Sequence, residues 1–193
     1  MQKQTLIEEA FKQAAITIKN DSRIIVLGIE TTGLDSSSDE ILQISACDGN
    51  GNILLNSFIR PYIKQTWDES ERIHRITQDI ADKAPFFHEL IPQLQGIFDS
   101  SDIIISYNSK FVINFFDNYG FFVDQRKCYD LMNEFARMYN DWDDYHEDNK
   151  LQSLKTCAQY FNYKDQIRDN LDKIKAILYC YNKITESSKH PIE

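Results

Sequence analysis

The chain has 193 residues, with 30 acidic against 21 basic ones and a net charge of −9. That length fits one domain with a real core, and 42% apolar with 26% charged residues is the balance of a soluble globular protein. The charge argues against a domain that holds nucleic acid by electrostatics alone, since such a domain is basic. An acidic enzyme can still act on nucleic acid where metals screen its site. No apolar run approaches the roughly 20 residues of a membrane span. The opening MQKQTLIEEAFKQAA carries acids and lacks a continuous apolar core, unlike a signal peptide. A cytoplasmic protein without membrane contact is expected. Cys47, Cys128, Cys157 and Cys180 show no C-x-x-C spacing, so neither a zinc knuckle nor a redox pair is expected, and three of them sit among apolar neighbours.

Residues 4 to 19 place Leu6, Ile7, Ala10, Phe11, Ala14, Ala15 and Ile18 at helical spacing, which predicts an amphipathic N-terminal helix over 1–21. RIIVLGIE then reads as a central strand covered on both faces. EILQISACD (40–48) reads as a second strand, GNG (49–51) as a hairpin turn, and NILLNSFIRP (52–61) as a third strand closed by Pro61. Short helices are expected over 68–83, and a helix follows Pro85 despite Pro92. A buried strand is expected at 102–108, then a helix over 109–120 with Ser109 as N-cap and Gly120 as its stop. Three further helices are predicted at 129–139, 150–161 and 165–184, with a frayed tail over 187–193. A meander followed by mixed strands and helices gives an α/β fold with a mixed sheet flanked by helices. Its main domain spans 22–186.

The first strand ends in IETTGLD, which leaves a lone acid, Glu30, at its tip, with Gly28 two residues earlier. IETTGLDSSSDEILQISA, RPYIKQTWDESERIHRIT, ISYNSKFVINFF, YDLMNEFA and KLQSLKTCAQYF follow one another in this chain. In that order they resemble the DnaQ-like 3′–5′ exonucleases, the DEDDh branch of the ribonuclease H-like fold, over roughly residues 22 to 184.

The resemblance implies a site of four acids and a general-base histidine around two divalent metals about 4 Å apart, which clamp the scissile phosphate. The family's D-x-E stands here as Gly28-Ile29-Glu30, and its N-x-x-F-D as Asn108-Ser109-Lys110-Phe111-Val112. Matching Leu171 and Ala176 to the apolar positions of the last helix puts Arg168 at the histidine and Lys173 at the final acid. A shift of one residue there brings Asp172 into register. Of the five catalytic positions only Glu30 then remains. The expectation is a degenerate site with no metal, in which Glu30 pairs with Lys173 or Arg168. The resemblance also marks Thr31, Thr32, Leu34, His74, Asn108 and Phe111 as the remnant of a pocket for a 3′-terminal nucleotide.

These residues lead first to a catalytically inactive exonuclease homologue that binds or regulates through another protein, one that itself handles nucleic acid. A second reading is a module that still holds single-stranded ends, and a third is an active nuclease using Mg2+ or Mn2+ with relocated ligands such as Asp35, Asp39 or Asp172. DWDDYHED (141–148) has five acids in eight residues with Trp142 and Tyr145 interleaved. It reads either as a solvated loop or as a partner-binding loop with Trp142, Asp143, Asp144 and Tyr145 as contacts. His74 is expected to cap or pack, while His88, His146 and His190 lack metal spacing. Phe111, Phe115, Phe116, Phe121 and Phe122 are expected in the core.

Overall fold

The computed structural model describes residues 23–187, so the expected N-terminal helix lies outside the described residues. The first three strands form where the sequence places them. β1 (Ile24–Thr31) pairs antiparallel with β2 (Ile41–Asp48), and β2 with β3 (Ile53–Phe58). β4 (Ile103–Ser106) lies parallel to β1 on its other side, and a short β5 (Cys128–Asp130) lies parallel to β4, giving the order β3-β2-β1-β4-β5. The fold is therefore the expected mixed α/β sheet.

Between β3 and β4 run α1 (Asp68–His74), α2 (Gln78–Ala81) and α3 (Phe87–Asp99). After β4 come α4 (Ser109–Asn118), α5 (Leu131–Tyr139), α6 (Leu154–Tyr160) and α7 (Asn170–Ser187). Every residue of β1 is buried, because both faces of the sheet are covered. Ile25, Leu27 and Ile29 face the cluster that contains Phe87, Leu94, Phe98, Phe115 and Phe116 of α3 and α4. Ile24 and Val26 face Leu131, Phe135, Cys157, Ile174 and Ile177 of α5, α6 and α7. The period-2 alternation of a strand therefore points Gly28 and Glu30 at α7.

Several boundaries differ from expectation, each for a local reason. Asn108, not Ser109, caps α4: its backbone is left-handed (φ 70°) and its side chain accepts from Phe111 N. Asn tolerates that conformation, and the Ser109 N–H is already taken by Asp130. The helix expected from residue 129 starts at Leu131, because Tyr129 and Asp130 pair with Ile105 and Ser106 in the sheet. Asp130 then accepts from Met132 N and Asn133 N as well as from Ser109 N, so one carboxylate caps α5 and holds the start of α4. α6 starts at Leu154, four residues later than expected, because Ser153 caps it by accepting from Thr156 N. The last helix begins at Asn170, where Asp169 accepts from Asp172 N, and it runs on through Ser187, which the sequence assigns to the tail. Residues 188–193 lie outside the described residues.

The acidic loop holds a small hairpin, β6 (Trp142–Asp143) with β7 (Asp148–Asn149). Phe115, Phe116 and Phe121 are buried as expected, and Phe111 packs at the edge of the same core. Phe122 does not: it is 83% exposed, because the extended chain after Gly120 turns Phe121 and Val123 inward and Phe122 outward. Cys47, Cys157 and Cys180 are buried free thiols, and Cys128 is half-buried.

Candidate functional site

The tip of β1 brings together three elements: the strand, the turn that follows it, and α7. Glu30 is 7% exposed, and its carboxylate accepts from Lys173 Nζ at 2.5 Å. Arg168 does not join them. It is exposed and pairs with Asp172 at 3.2 Å on the outer side of α7, so of the two cations expected at the site only Lys173 reaches Glu30. That pair also accounts for Asp172, whose carboxylate is turned to Arg168. The open depression lined by Tyr163, Asp165, Gln166, Arg168, Asp172 and Lys175 lies beside the start of α7 and includes neither Glu30 nor Lys173.

At Gly28 the helix comes very close. A Cβ built there would stand 2.7 Å from Asn170 Oδ1 and 2.9 Å from Ile174 Cγ2. Asn170 is 1% exposed and donates from Nδ2 to Gly28 O and to Ser45 Oγ, both at 3.0 Å. Ser45 Oγ donates in turn to Asn56 Oδ1, which also receives Gln43 Nε2. An uncharged chain of hydrogen bonds thus crosses β1, β2 and β3 on the face toward α7. Asn170, Ser45, Asn56 and Gln43 carry no signal in the sequence for this role, because each is an ordinary polar residue until the fold aligns it. Val112 is buried in the cluster on the opposite face of the sheet, with Ile29 and Phe115.

The turn after β1 is closed by its own side chains. Thr31 Oγ1 donates to Gly33 O, and Thr32 Oγ1 donates to Asp39 Oδ1. Asp39 also accepts from Asp35 N and pairs with Lys64. Burial pushes the Asp39 carboxyl up, but these bonds outweigh it and hold the group below its ordinary value. Gly33 is required here, since a Cβ would meet the Asp39 carboxylate at 2.3 Å. Glu40, also 7% exposed, accepts three backbone N–H groups, from Tyr62, Ile63 and Lys64.

Two contacts fasten α1 to this turn: Ser70 Oγ donates to Thr32 O, and His74 Nε2 lies 3.2 Å from Thr31 O. His74 Nδ1 accepts from Ile76 N just past the helix end, where Arg75 is the C-cap, so His74 packs the end of α1 against the turn. Burial lowers its pKa from the ordinary histidine value, with Glu30 opposing. Leu34 is 86% exposed at the rim. The structure therefore brings Glu30, Thr31, Thr32, His74 and Lys173 together, and leaves Asn108 and Phe111 at the start of α4.

The donor set does not fit a divalent pair. Hard cations need several oxygen ligands. Here one carboxylate already holds an ammonium, Gly28 offers no side chain, and Val112 is apolar. Among the described residues no group of three or more His, Cys, Asp or Glu could hold a metal.

Trp142 is 54% and Tyr145 is 89% exposed on the hairpin, and Asp144 is exposed beside them. Asp143 is spent locally, on Tyr145 N, His146 N and the His146 ring. The hydrogen bonds to His146 and Tyr145 hold its carboxyl below the ordinary value.

The exonuclease family described as RNase_T matches residues 25–178. The chain belongs to that family. Among curated relatives it is 32% identical over 127 residues to the DNA polymerase III subunit epsilon of Buchnera aphidicola, covering 60% of this chain and 51% of the relative. It is also 32% identical over 98 residues to the DNA polymerase III PolC-type of Thermotoga maritima, covering 49% of this chain and 7% of the relative. The matches thus span about half of one relative and a small part of the other.

Solved structures share the fold. Exonuclease X in complex with 5′ overhanging duplex DNA is 19% identical with TM-score 0.57, over 86% of this chain and 93% of that one. A 3′-exonuclease solved for its recognition of the histone mRNA stem-loop is 14% identical with TM-score 0.64, over 96% and 73%. E. coli exonuclease I with an oligonucleotide is 17% identical with TM-score 0.63, over 87% and 40%. Together with the family match and the epsilon-subunit relative, these likenesses give a DnaQ-like, ribonuclease H-like exonuclease fold. No helix of the described residues is long and apolar enough to cross a membrane.

Proposed function

We propose that this chain is a non-catalytic member of the exonuclease family that works by binding, in the cytoplasm and through contacts with another protein. The observation that carries this reading is the closure of Glu30 on Lys173 at 2.5 Å, at the point where the family's chemistry needs carboxylates around two metals. Gly28, Val112, Arg168 and Lys173 stand at the other catalytic positions, and none offers an anionic oxygen. The acids that could serve as relocated ligands are engaged elsewhere: Asp35 by Ser37 and Ser38, Asp39 by Thr32 and Lys64, and Asp172 by Arg168. The partner is a protein concerned with nucleic acid, since one relative is by name a polymerase subunit. Trp142, Asp143, Asp144 and Tyr145 form the contact surface.

A second reading is favoured by one observation: Leu34 is 86% exposed in the turn after β1, and Ile63 and Ile73 are 81% and 75% exposed on the loop and the helix that are fastened to it. Apolar side chains held there could receive the base of a single-stranded end without metal. Binding of that kind would weaken steeply with salt.

The deciding experiment is a nuclease assay on labelled single-stranded DNA and RNA in excess Mg2+ and separately Mn2+, with Glu30→Ala beside the parent. The expected result is no digestion by either protein. Digestion by the parent and not by the variant overturns the reading.

A further inference from the structure

We infer that Gly28 and Asn170 are an exclusive pair: the amide of Asn170 occupies the volume that a side chain at position 28 would fill, and this volume lock keeps the pocket free of metal independently of the charge lock between Glu30 and Lys173. The inference deepens the non-catalytic reading and rests on it for its meaning, but its geometry stands apart.

A Cβ at position 28 would be 2.7 Å from Asn170 Oδ1 and 2.9 Å from Ile174 Cγ2, closer than carbon tolerates. Neither neighbour can retreat freely. Ile174 is fully buried in the core between the sheet and α5, α6 and α7. Asn170 is fixed through Nδ2 to Gly28 O and Ser45 Oγ. Its Oδ1 is buried with no hydrogen-bond partner among the described residues, and it points at Gly28. An orphaned buried acceptor is costly to keep. The same amide's Nδ2 joins β1 and β2 to the first turn of α7, and this pair of bonds offsets that cost. An acid at position 28 and an amide at 170 therefore cannot coexist in this backbone.

Two measurements test this. The first is thermal unfolding of Gly28→Ala, Asn170→Gly and the double variant. Gly28→Ala in the parent should lower Tm by about 3–10 °C. In the Asn170→Gly background the same change should lower Tm by less than half as much, the residue of the loss being the Ile174 contact. Equal losses in the two backgrounds overturn the pairing, as does a Gly28→Ala protein with the parent's Tm.

The second is Mn2+ binding by calorimetry. The triple variant Gly28→Asp, Asn170→Gly, Lys173→Asp should bind Mn2+, whereas the parent and the double variant Gly28→Asp, Lys173→Asp, which lacks the charge lock but keeps Asn170, should not. A folded triple variant that binds no Mn2+, or Mn2+ binding by that double variant with Asn170 in place, overturns the inference. Neither readout uses nuclease activity, so failure here and digestion by the parent are separate results.

Discussion

Two glutamates ten residues apart flank the same strand tip, both 7% exposed, and they are satisfied in opposite ways. Glu40 answers to three backbone N–H groups of the loop after β3, which cannot leave. Glu30 answers to one lysine whose side chain is 35% exposed and can return to water. The difference separates a carboxylate that builds the fold from one that holds a place in a site. The turn from Thr31 to Glu40 is held in shape by its own acids, which are spent on N–H, hydroxyl and ammonium groups.

The contrast predicts unequal losses. Glu40→Ala should cost about 3 kcal/mol, because three buried N–H groups lose a charged acceptor; urea denaturation measures this. Lys173→Met should cost about 2 kcal/mol by leaving Glu30 buried beside an apolar side chain. Glu30→Gln should cost less than about 1 kcal/mol, because the freed lysine regains solvent. If Glu30→Gln proves as damaging as Glu40→Ala, the contrast fails.

Smaller again is the effect of pH at His74. Its pKa is lowered in the folded chain, so the unfolded chain binds the proton more readily, and stability should rise as pH increases through about 6.5. Stability is lost as pH falls from that point toward the depressed value. His74→Gln should flatten that slope in denaturation curves taken between about pH 5 and 7.5. Smallest is Trp142→Ala, which should leave stability within about 0.5 kcal/mol while abolishing capture of the proposed protein partner in a pull-down. Intact capture would move the contact surface elsewhere.

The strand tip was legible in the sequence because its signals are local. A continuous apolar run gives β1, period-2 alternation places Gly28 and Glu30 on one face, and the Thr-Thr-Gly break ends the strand. The pairing of Glu30 with Lys173 followed from the register of the last helix, although that register left Arg168 as an equal partner. What stayed hidden depends on contacts distant in the chain or on very short elements. Asn170 meets Gly28 across 142 positions of sequence. β5 has three residues and two-residue strands make the hairpin, too few for a pattern to form. Phe122 falls in a run of phenylalanines at helix and strand spacing, and that spacing does not say which of two neighbours an extended backbone turns outward.

Asp130 has a wider consequence than its size suggests. Its carboxylate holds the first turns of both α4 and α5, so those helices do not fray as separate units. The amides of Ser109, Met132 and Asn133 share one latch and should open to solvent in a single event. The end of the sheet where β4 and β5 run side by side should therefore open as one cooperative block, which amide hydrogen exchange measures.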